Sequence, residues 1–245
     1  MAPELIPFLA AGIFVVALMY ASVGHGGASG YLAVMALFSL HPEALKPTAL
    51  LLNIIVAGVG TTLYCSAGQF SWRVFWPFVI TSIPMSFLGG SFQLPPEWYR
   101  PVLGLVLFYA AWRLFVRRKH EVYEAKAPSL PLAMVVGGVL GFASGLIGVG
   151  GGIFLSPLMI LLRWAKVREV SGIAALFILV NSVSGLLGHM SSLHHIPDFA
   201  PLLAVVALCG GSIGALCGSR HLPVRTILQA MSAMMVLAGG KMFFI

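Results

Sequence analysis

The sequence predicts an all-α, polytopic integral membrane protein, and composition carries most of that prediction. Of the 245 residues, 59% are hydrophobic and 9% are charged, whereas soluble domains carry about 25% charged residues. Residues 5–42 and 127–162 contain no Asp, Glu, Lys or Arg, and a helix needs roughly 20 apolar residues to cross a bilayer. So few charges could not cover a soluble domain of this size, so we expect lipid around the chain.

Ten apolar segments follow one another in two sets of five, and a basic stretch separates the sets. The sequence therefore predicts a first membrane repeat over 1–117, a basic linker over 118–129 and a second membrane repeat over 130–245. The net charge of +7 comes from Lys and Arg in short connections, where membrane topology explains it without nucleic acid. The segments are 5–23, 28–40, 45–66, 74–92, 99–116, 130–147, 153–162, 170–191, 199–219 and 224–244.

A glycine-rich break interrupts the apolar sequence near the start of each repeat. The first is Ser22-Val-Gly-His-Gly-Gly-Ala28 and the second is Ile147-Gly-Val-Gly-Gly-Gly-Ile153. Glycines in a lipid-embedded helix indicate a bend, a close approach of the backbone or an opening toward a ligand. Paired breaks are the signature of a transporter built from two repeated halves. The glycines that correspond, at an offset of 124, are Gly24, Gly26 and Gly27 with Gly148, Gly150 and Gly151.

The correspondence between the repeats extends beyond the breaks. Asn53 lies about one helix after the first break, and Asn181 lies about one helix after the second. Gly60 and Gly188 correspond at the same offset of 128. The offset therefore changes along the repeat, which predicts small insertions between the two halves.

Two threadings of each repeat through the membrane are open. A single helix over residues 5–40 would be about 54 Å long, against a hydrocarbon core of about 30 Å. Four crossings per repeat would divide the 14 Lys and Arg residues seven and seven between the two sides. If the first two segments form a re-entrant hairpin instead, three crossings follow, the repeats are inverted, and the division is eleven against three. The positive-inside rule favours the hairpins, with the linker in the cytoplasm and both termini outside.

The two breaks are predicted to form tips that bind a small anion. A helix that starts after a break presents backbone N–H groups without partners, and its macrodipole adds partial positive charge. Consecutive glycines let a ligand approach these groups. The alternative is that glycines only allow close helix packing, which we expect for Gly137, Gly141 and Gly145 and for Gly210, Gly214 and Gly218. The glycines predicted to bind substrate are Gly24, Gly26, Gly27, Gly148, Gly150, Gly151 and Gly152.

Three polar side chains are predicted to contribute to this site: His25, Asn53 and Asn181. His25 lies inside the first break, where the second has Val149. It could bind the anion when charged, carry a proton, or be a hydrogen-bonded structural residue. The two Asn residues are predicted to take equivalent mid-helix positions, where they either line the site or fix helix packing. Protons are therefore a candidate partner beside the anion and the bilayer, with Ser22, Ser29, Ser144 and Ser182 as lesser hydrogen-bond donors.

Several function classes lack the residues that they need. The seven acids lie at or near segment ends, which argues against a cation pump with a carboxylate relay. HExxH and P-loop sequences are absent. We therefore expect neither an enzyme nor a bound metal or cofactor. Cys65, Cys209 and Cys217 form no CxxC pair, so we expect them to be small core residues of helices.

The second break and its flanks, Gly145-Leu-Ile-Gly-Val-Gly-Gly-Gly-Ile-Phe-Leu-Ser-Pro157, resemble the sulfite exporter TauE/SafE family, also called the toluenesulfonate uptake permease family. The first break is a weaker copy of the motif, with His25 inside it and Ala33 where the second copy has Pro157. The short length, the basic central loop and the twofold repeat add to the resemblance, which covers nearly the whole chain. It implies an inner-membrane carrier of a sulfur-containing anion such as sulfite or a sulfonate, exporting in some members and importing in others.

Taken with that resemblance, the residues predict a secondary transporter that exports a small sulfur-containing anion by alternating access. An anion channel of the same fold, an uptake permease for another small organic acid and an assembly subunit without a substrate are the alternatives. Long faces of small residues permit a homodimer without requiring one.

Overall fold

The computed structural model describes residues 3–92, 96–116, 124–190 and 195–244, and within them the chain is all α-helical. A 3₁₀ turn (Pro3–Leu5) precedes ten α-helices in this part of the chain. These are α1 (Ile6–Ala21), α2 (Ala28–Leu37), α3 (Pro42–Ser66), α4 (Trp72–Ser91), α5 (Pro96–Val116), α6 (Leu130–Ile147), α7 (Gly152–Leu161), α8 (Val167–Gly188), α9 (Ala200–Arg220) and α10 (Val224–Phe244).

The ten predicted segments correspond one to one with these helices. The starts of α3 and α8, like that of α5, lie three residues before the starts of the predicted segments; α3 and α8 show the cause. The first turns of α3 and α8 carry the acids Glu43 and Glu169, so hydrophobicity alone places these turns outside the apolar segments. Pro42 suits the first position of a helix, and the Glu169 carboxylate accepts a hydrogen bond from the Lys166 N–H at 3.3 Å. Capping, rather than hydrophobicity, therefore sets where these helices start.

Five of the described helices, α3, α4, α6, α8 and α9, are long and apolar enough to cross a membrane. Large apolar side chains such as Phe8, Trp112 and Val139 are more than half exposed, as expected for a surface that contacts lipid. These observations confirm the prediction of a multi-pass helical membrane protein. Within the predicted linker 118–129, residues 118–123 lie outside the described part of the chain, as does Arg117.

The three cysteines are not core residues, which corrects the expectation from the sequence. Cys65 on α3 and Cys209 and Cys217 on α9 are free thiols on exposed faces of their helices. Lipid surrounds an exposed side chain with an apolar environment, as a protein core does. The apolar sequence around a cysteine therefore does not distinguish a core position from a lipid-facing one.

Each glycine-rich break reverses the direction of the chain. In the first half, α2 returns along α1: Val34 stands opposite Gly12, and the Ser29 hydroxyl donates to the Tyr20 hydroxyl at 3.0 Å. In the second half, the segment before α6 meets the segment after α7: the Lys126 N–H donates to the Arg163 carbonyl at 3.0 Å. The two breaks are therefore the tips of two hairpins, which we call tip 1 (residues 22–28) and tip 2 (residues 147–152).

Helices α3 and α8 form the centre of the molecule, and both tips lie against them. The two helices pack on each other; α3 also packs on α9, and α8 on α4. Around this centre, α1 lies along α9, α6 lies along α4, and α5 pairs with α10.

Two stripes of glycine bring helix backbones into direct contact. The first stripe is on α6, where Gly137, Gly141 and Gly145 face the backbone carbonyls of Phe78, Ser82 and Ser86 on α4. The second is on α9, where Gly210, Gly214 and Gly218 face those of Phe14, Leu18 and Ser22. Any larger residue would overlap these carbonyls, so the packing role predicted for both stripes is confirmed.

Candidate functional site

Both tips have a backbone that only glycine adopts without strain. At tip 1, Gly24 and Gly27 have φ values of 80° and 103°, and α2 begins at the next residue, Ala28. At tip 2, Gly148, Gly150 and Gly151 have φ values of 80°, 75° and 76°, and α7 begins at Gly152. Left-handed φ values are costly for residues with a Cβ atom, which explains why glycines cluster at the two breaks.

Asn53 of α3 joins the two tips. Its side chain is fully buried, and its Oδ1 accepts a hydrogen bond from the Ala28 N–H at 3.1 Å. Its Nδ2 donates to the Ser182 hydroxyl at 2.9 Å and to the Val149 carbonyl of tip 2 at 3.4 Å. These partners assign the orientation of the amide, since only Oδ1 can accept from an N–H group.

His25 connects tip 1 to α7. The side chain is 4% exposed, and its Nδ1 lies 3.2 Å from the Val23 carbonyl. The ring also bonds to the backbone of Gly152. A carbonyl oxygen only accepts, so the Val23 contact assigns the tautomer with the hydrogen on Nδ1. In that tautomer Nε2 is the acceptor, and the Ser156 hydroxyl, 3.2 Å away, donates to it. The ring therefore forms a hydrogen bond between the two halves of the chain.

Asn181 does not take the position equivalent to that of Asn53, which corrects the correspondence drawn from the sequence. Its Nδ2 donates to the Phe177 carbonyl at 2.8 Å and to the Ser82 hydroxyl at 3.0 Å, so it ties α8 to α4. These hydrogen bonds reach neither tip. Asn181 is fully buried, and its Oδ1 has no hydrogen-bond partner among the described residues, so substrate binding by Asn181 stays a prediction.

Ile178, one turn before Asn181, is the residue of α8 that matches Asn53 in space. Tyr64 donates to the Ala21 carbonyl as His189 donates to the Gly145 carbonyl. These donors are 125 residues apart and the acceptors 124 apart, so α3 and α8 correspond at an offset of 125. That offset pairs Asn53 with Ile178, whose side chain packs on Gly150 and Gly152.

The tip glycines are enclosed by α3 and α8. A side chain at Gly24 would overlap the Ser171 backbone, and one at Gly26 would overlap the Asn53 amide. At Gly150 a Cβ atom would lie 2.6 Å from Asn53 Nδ2. A Cβ atom built on each remaining tip glycine would also lie close to a neighbour. The nearest atoms are Tyr31 Cζ at 2.7 Å for Gly27, Lys46 Cβ at 3.4 Å for Gly148, Phe177 Cε1 at 3.0 Å for Gly151 and Ile178 Cδ1 at 2.5 Å for Gly152.

Several backbone N–H groups of the tips have no hydrogen-bond partner among the described residues. At tip 1 these are the N–H groups of Gly26, Gly27 and Ser29. At tip 2 they are the N–H groups of Gly150, Gly151 and Gly152. Such N–H groups at a helix N-terminus attract negative charge, because the partial positive charge of the macrodipole adds to that of the N–H groups themselves.

A cavity of about 10 Å³ lies between the tips, which is about the room that one water molecule needs. Tip 1 and α1 line one side with polar groups, and tip 2 and α8 line the other with aliphatic ones. A sulfur oxyanion is larger than a water molecule, so the tips must move apart to admit one. The lining residues are Tyr20, His25, Gly26, Gly27, Ala28, Ser29, Val149, Ile153 and Ile178.

Four residues at this site were missed by the sequence analysis: Tyr20, Lys46, Ser156 and Ile178. The Lys46 ammonium donates to the Leu146 carbonyl at 3.0 Å, and its stem lies beside Gly148. A lysine at the second position of the predicted segment 45–66 was a usable signal, since a charge inside a membrane helix indicates a function. The other three carry no such signal, because Tyr, Ser and Ile are common in apolar helices. Among the described residues no cluster of His, Cys, Asp or Glu is suited to hold a metal ion.

Comparisons with known proteins agree on one class. A model of the sulfite exporter TauE/SafE family matches residues 9–242. The "Probable membrane transporter protein y4hK" of Sinorhizobium fredii is 41% identical over 240 residues, which cover 96% of this chain and 97% of that protein. The "Probable membrane transporter protein YjnA" of Bacillus subtilis is 28% identical over 250 residues, covering 94% and 95%. A probable membrane transporter of Haemophilus influenzae is 25% identical over 248 residues, covering 90% and 91%. No solved structure matches the chain significantly.

Proposed function

This chain belongs to the sulfite exporter TauE/SafE family of membrane transporters, and we propose that it is a secondary transporter that exports a small sulfur-containing anion, such as sulfite or a sulfonate. The observation that carries the proposal is the meeting of two glycine tips at the centre of the protein. The unpartnered N–H groups of Gly26, Gly27 and Ser29 belong to residues that line a cavity between the tips, and tip 2 contributes Val149 to the same lining. The described lining contains no carboxylate.

The chemistry of the tips suits an anion. Two helices, α2 and α7, begin at the cavity, so two helix macrodipoles place partial positive charge there. Backbone N–H groups bind a small oxyanion without a fixed charge of their own. Binding by dipoles leaves the anion free to depart, which a carrier requires. On this proposal Gly24, Gly26, Gly27, Gly148, Gly150, Gly151 and Gly152 provide the backbone of the site, and Asn53 and His25 hold it together.

The proposal includes two inverted repeats, each a re-entrant hairpin followed by three spanning helices. Matching helix contacts in the two halves support it: α1 packs on α9 as α6 packs on α4, and α2 packs on α3 as α7 packs on α8. The eleven-to-three division of Lys and Arg supports a cytoplasmic linker and external termini. A reporter fused at residue 120 should report a cytoplasmic location, and an external location would contradict the inverted topology.

Alternating access requires bonds between the halves to break. In this conformation Asn53 holds Ser182 and Val149, and His25 holds Ser156, so the tips are closed on each other. Each tip contacts α3 of the first half and α8 of the second half. We propose that separation of the tips on one face and then on the other carries the anion across.

The test is counterflow into liposomes that contain the purified protein. Liposomes loaded with unlabelled sulfite, thiosulfate, sulfate, a sulfonate or acetate are diluted into the same labelled anion, and transient accumulation of label is followed. A carrier accumulates label for at least one sulfur-containing anion, whereas a channel of the same fold only equilibrates it. If none of the sulfur-containing anions accumulates and acetate does, the substrate class is wrong. If no anion moves, the transporter proposal itself is overturned for these substrates.

A further inference from the structure

We propose that His25 binds the proton that crosses the membrane together with the anion, so that the carrier is a proton–anion symporter. This inference rests on the proposed transport function and names its coupling ion. It is carried by the position of the imidazole, which lines the cavity and bonds to both halves of the chain.

The neutral imidazole has one nitrogen that can accept a proton. Nδ1 already donates to the Val23 carbonyl, so a proton adds at Nε2, where the Ser156 hydroxyl now donates. After protonation Ser156 must accept instead, and a serine hydroxyl can do this by turning its hydrogen away. Protonation therefore reverses one hydrogen bond between the halves without removing either residue from its partner.

The surroundings of His25 offer no fixed charge to balance an imidazolium. On α1 and α2 the titratable neighbours are Tyr20 and Tyr31, whose hydroxyls bond to Ser29 and to the Gly26 carbonyl. The lining residues that α7 and α8 contribute, Ile153 and Ile178, are aliphatic.

The charged residues on the neighbouring helices bind elsewhere. Lys46 of α3 donates to the Leu146 carbonyl, and Arg168 of α8 donates to the Leu222 carbonyl at 2.9 Å. Tyr64 of α3 and His189 of α8 lie at the ends of their helices and bond to Ala21 and Gly145. Among the described residues that line the cavity there is no Asp or Glu.

An imidazolium in this position needs an anion beside it. The helix N-termini of α2 and α7 contribute partial positive charge, which opposes protonation of His25 while the cavity holds no anion. An anion in the cavity reverses the sign of the local potential and favours the proton. By linkage the proton favours the anion equally, so the two are bound together and released together.

Coupling of this kind sets the charge that crosses the membrane. A divalent anion that crosses with a proton still carries one net negative charge, so an inside-negative membrane potential favours its exit. A monovalent anion with a proton crosses as a neutral pair, and only the two concentration gradients drive it. The proposed direction of export is therefore compatible with symport for a divalent substrate.

The experiment measures proton movement with anion movement in the same liposomes. The probes are labelled sulfite and a sulfonate outside and a pH-sensitive dye inside, with wild type, His25→Gln and a matched control, His189→Gln. Glutamine keeps a donor and an acceptor but does not titrate. His189 is also a buried histidine that bonds to a backbone carbonyl, and it lies outside the cavity lining.

We expect the wild type and His189→Gln to acidify the liposome interior as the anion enters. Their anion affinity should rise as the pH falls, by at most about tenfold per pH unit, the limit for one linked proton. Whatever its rate of anion exchange, His25→Gln should lose the proton signal per anion moved, and the pH dependence should be removed. Acidification by His25→Gln at the wild-type ratio would overturn the coupling role while leaving transport intact. If the wild type moves neither anion, the transport proposal fails for these probes and the coupling inference fails with it.

Ser156→Ala keeps the proposal testable should His25→Gln not fold. The alanine removes the side-chain partner of Nε2 in both protonation states, and the imidazolium loses that charge-assisted bond. The pH at which transport is half-maximal should therefore move downward, with the proton signal retained. An unchanged pH profile in this variant would contradict the assignment of Nε2 as the proton site.

Discussion

The two glycine tips share a backbone but differ in chemistry. Gly24 and Gly148 have the same φ of 80°, and α2 and α7 each begin after a left-handed glycine. Yet tip 1 has His25 where tip 2 has Val149, and α3 has Asn53 where α8 has Ile178. The backbone that suits an anion is therefore present twice, whereas the side chains that bond across the halves come largely from the first half.

This comparison separates two kinds of residue. Where the backbone performs the task, substitutions at corresponding positions in the two tips should have equal effects. Where a side chain performs it, corresponding positions should differ, because one half has a hydrogen-bonding group and the other has an aliphatic one.

The largest effect is expected from Gly26→Ala and Gly150→Ala. Each Cβ atom would displace the Asn53 amide, which contacts both glycines, and the tips would lose their alignment. Both variants should lower anion transport about 100-fold, as misplacement of a site by about 1 Å does. The measurement is initial counterflow per folded protein, with folding checked by gel filtration. Near-normal transport in either variant would show that the tips are not used equally.

A smaller and unequal effect is expected from the two asparagines. Asn53→Leu leaves the Ala28 N–H unpaired, and a buried unpaired group costs about 1–3 kcal/mol, so transport should fall about tenfold or more. Asn181→Leu breaks one bond to Ser82 of α4 and one to Phe177 within α8, so it should lower the melting temperature and leave transport per folded molecule nearly unchanged. An equal loss of transport in the two variants would show that Asn53 and Asn181 have equivalent roles, contrary to their hydrogen bonds.

Lys46 should contribute more to the stability of the protein at tip 2 than its spatial counterpart, Ser171, contributes at tip 1. Lys46→Met removes a cation from the C-terminal end of α6, where charge contributes about 0.3–1 kcal/mol, and Lys46→Arg should retain it. At the matching place near Gly24 stands Ser171, whose buried hydroxyl has no partner among the described residues. Ser171→Ala should therefore not lower the melting temperature. Equal shifts in Lys46→Met and Ser171→Ala would contradict this difference between the tips.

The smallest effect is expected from Gly58→Ala, the matched control for the tip glycines. Gly58 lies within α3, and a Cβ atom there would have no neighbour within 4 Å. The substitution should leave transport unchanged and raise stability by up to about 1 kcal/mol, the difference in helix propensity. A transport defect in this variant would mean that α3 itself is sensitive to any added methyl group.

The helices, the breaks and the packing stripes follow from the sequence because each depends on local properties. Apolar length marks a membrane helix, and the starts of α2 at Ala28 and α7 at Gly152 follow directly from consecutive glycines. The stripe at Gly137, Gly141 and Gly145 follows from its spacing of four, which places all three residues on one helix face.

The partners of the tips do not follow from the sequence. An offset of 128 pairs Asn53 with Asn181, whereas the contacts of Tyr64 and His189 give an offset of 125 for the same helices. A difference of three residues is nearly one helical turn, so both asparagines face inward and only tertiary contacts distinguish them.

Local sequence was thus sufficient for where the helices run and where the backbone breaks, because hydrophobic length and the conformational freedom of glycine act within a few residues. Tertiary packing alone decided that Asn53 and His25 hold the tips together while Asn181 holds α4. The physical reason is that a hydrogen bond needs two atoms about 3 Å apart, and residues 25 and 156 or 53 and 182 reach that separation only after the two halves have packed.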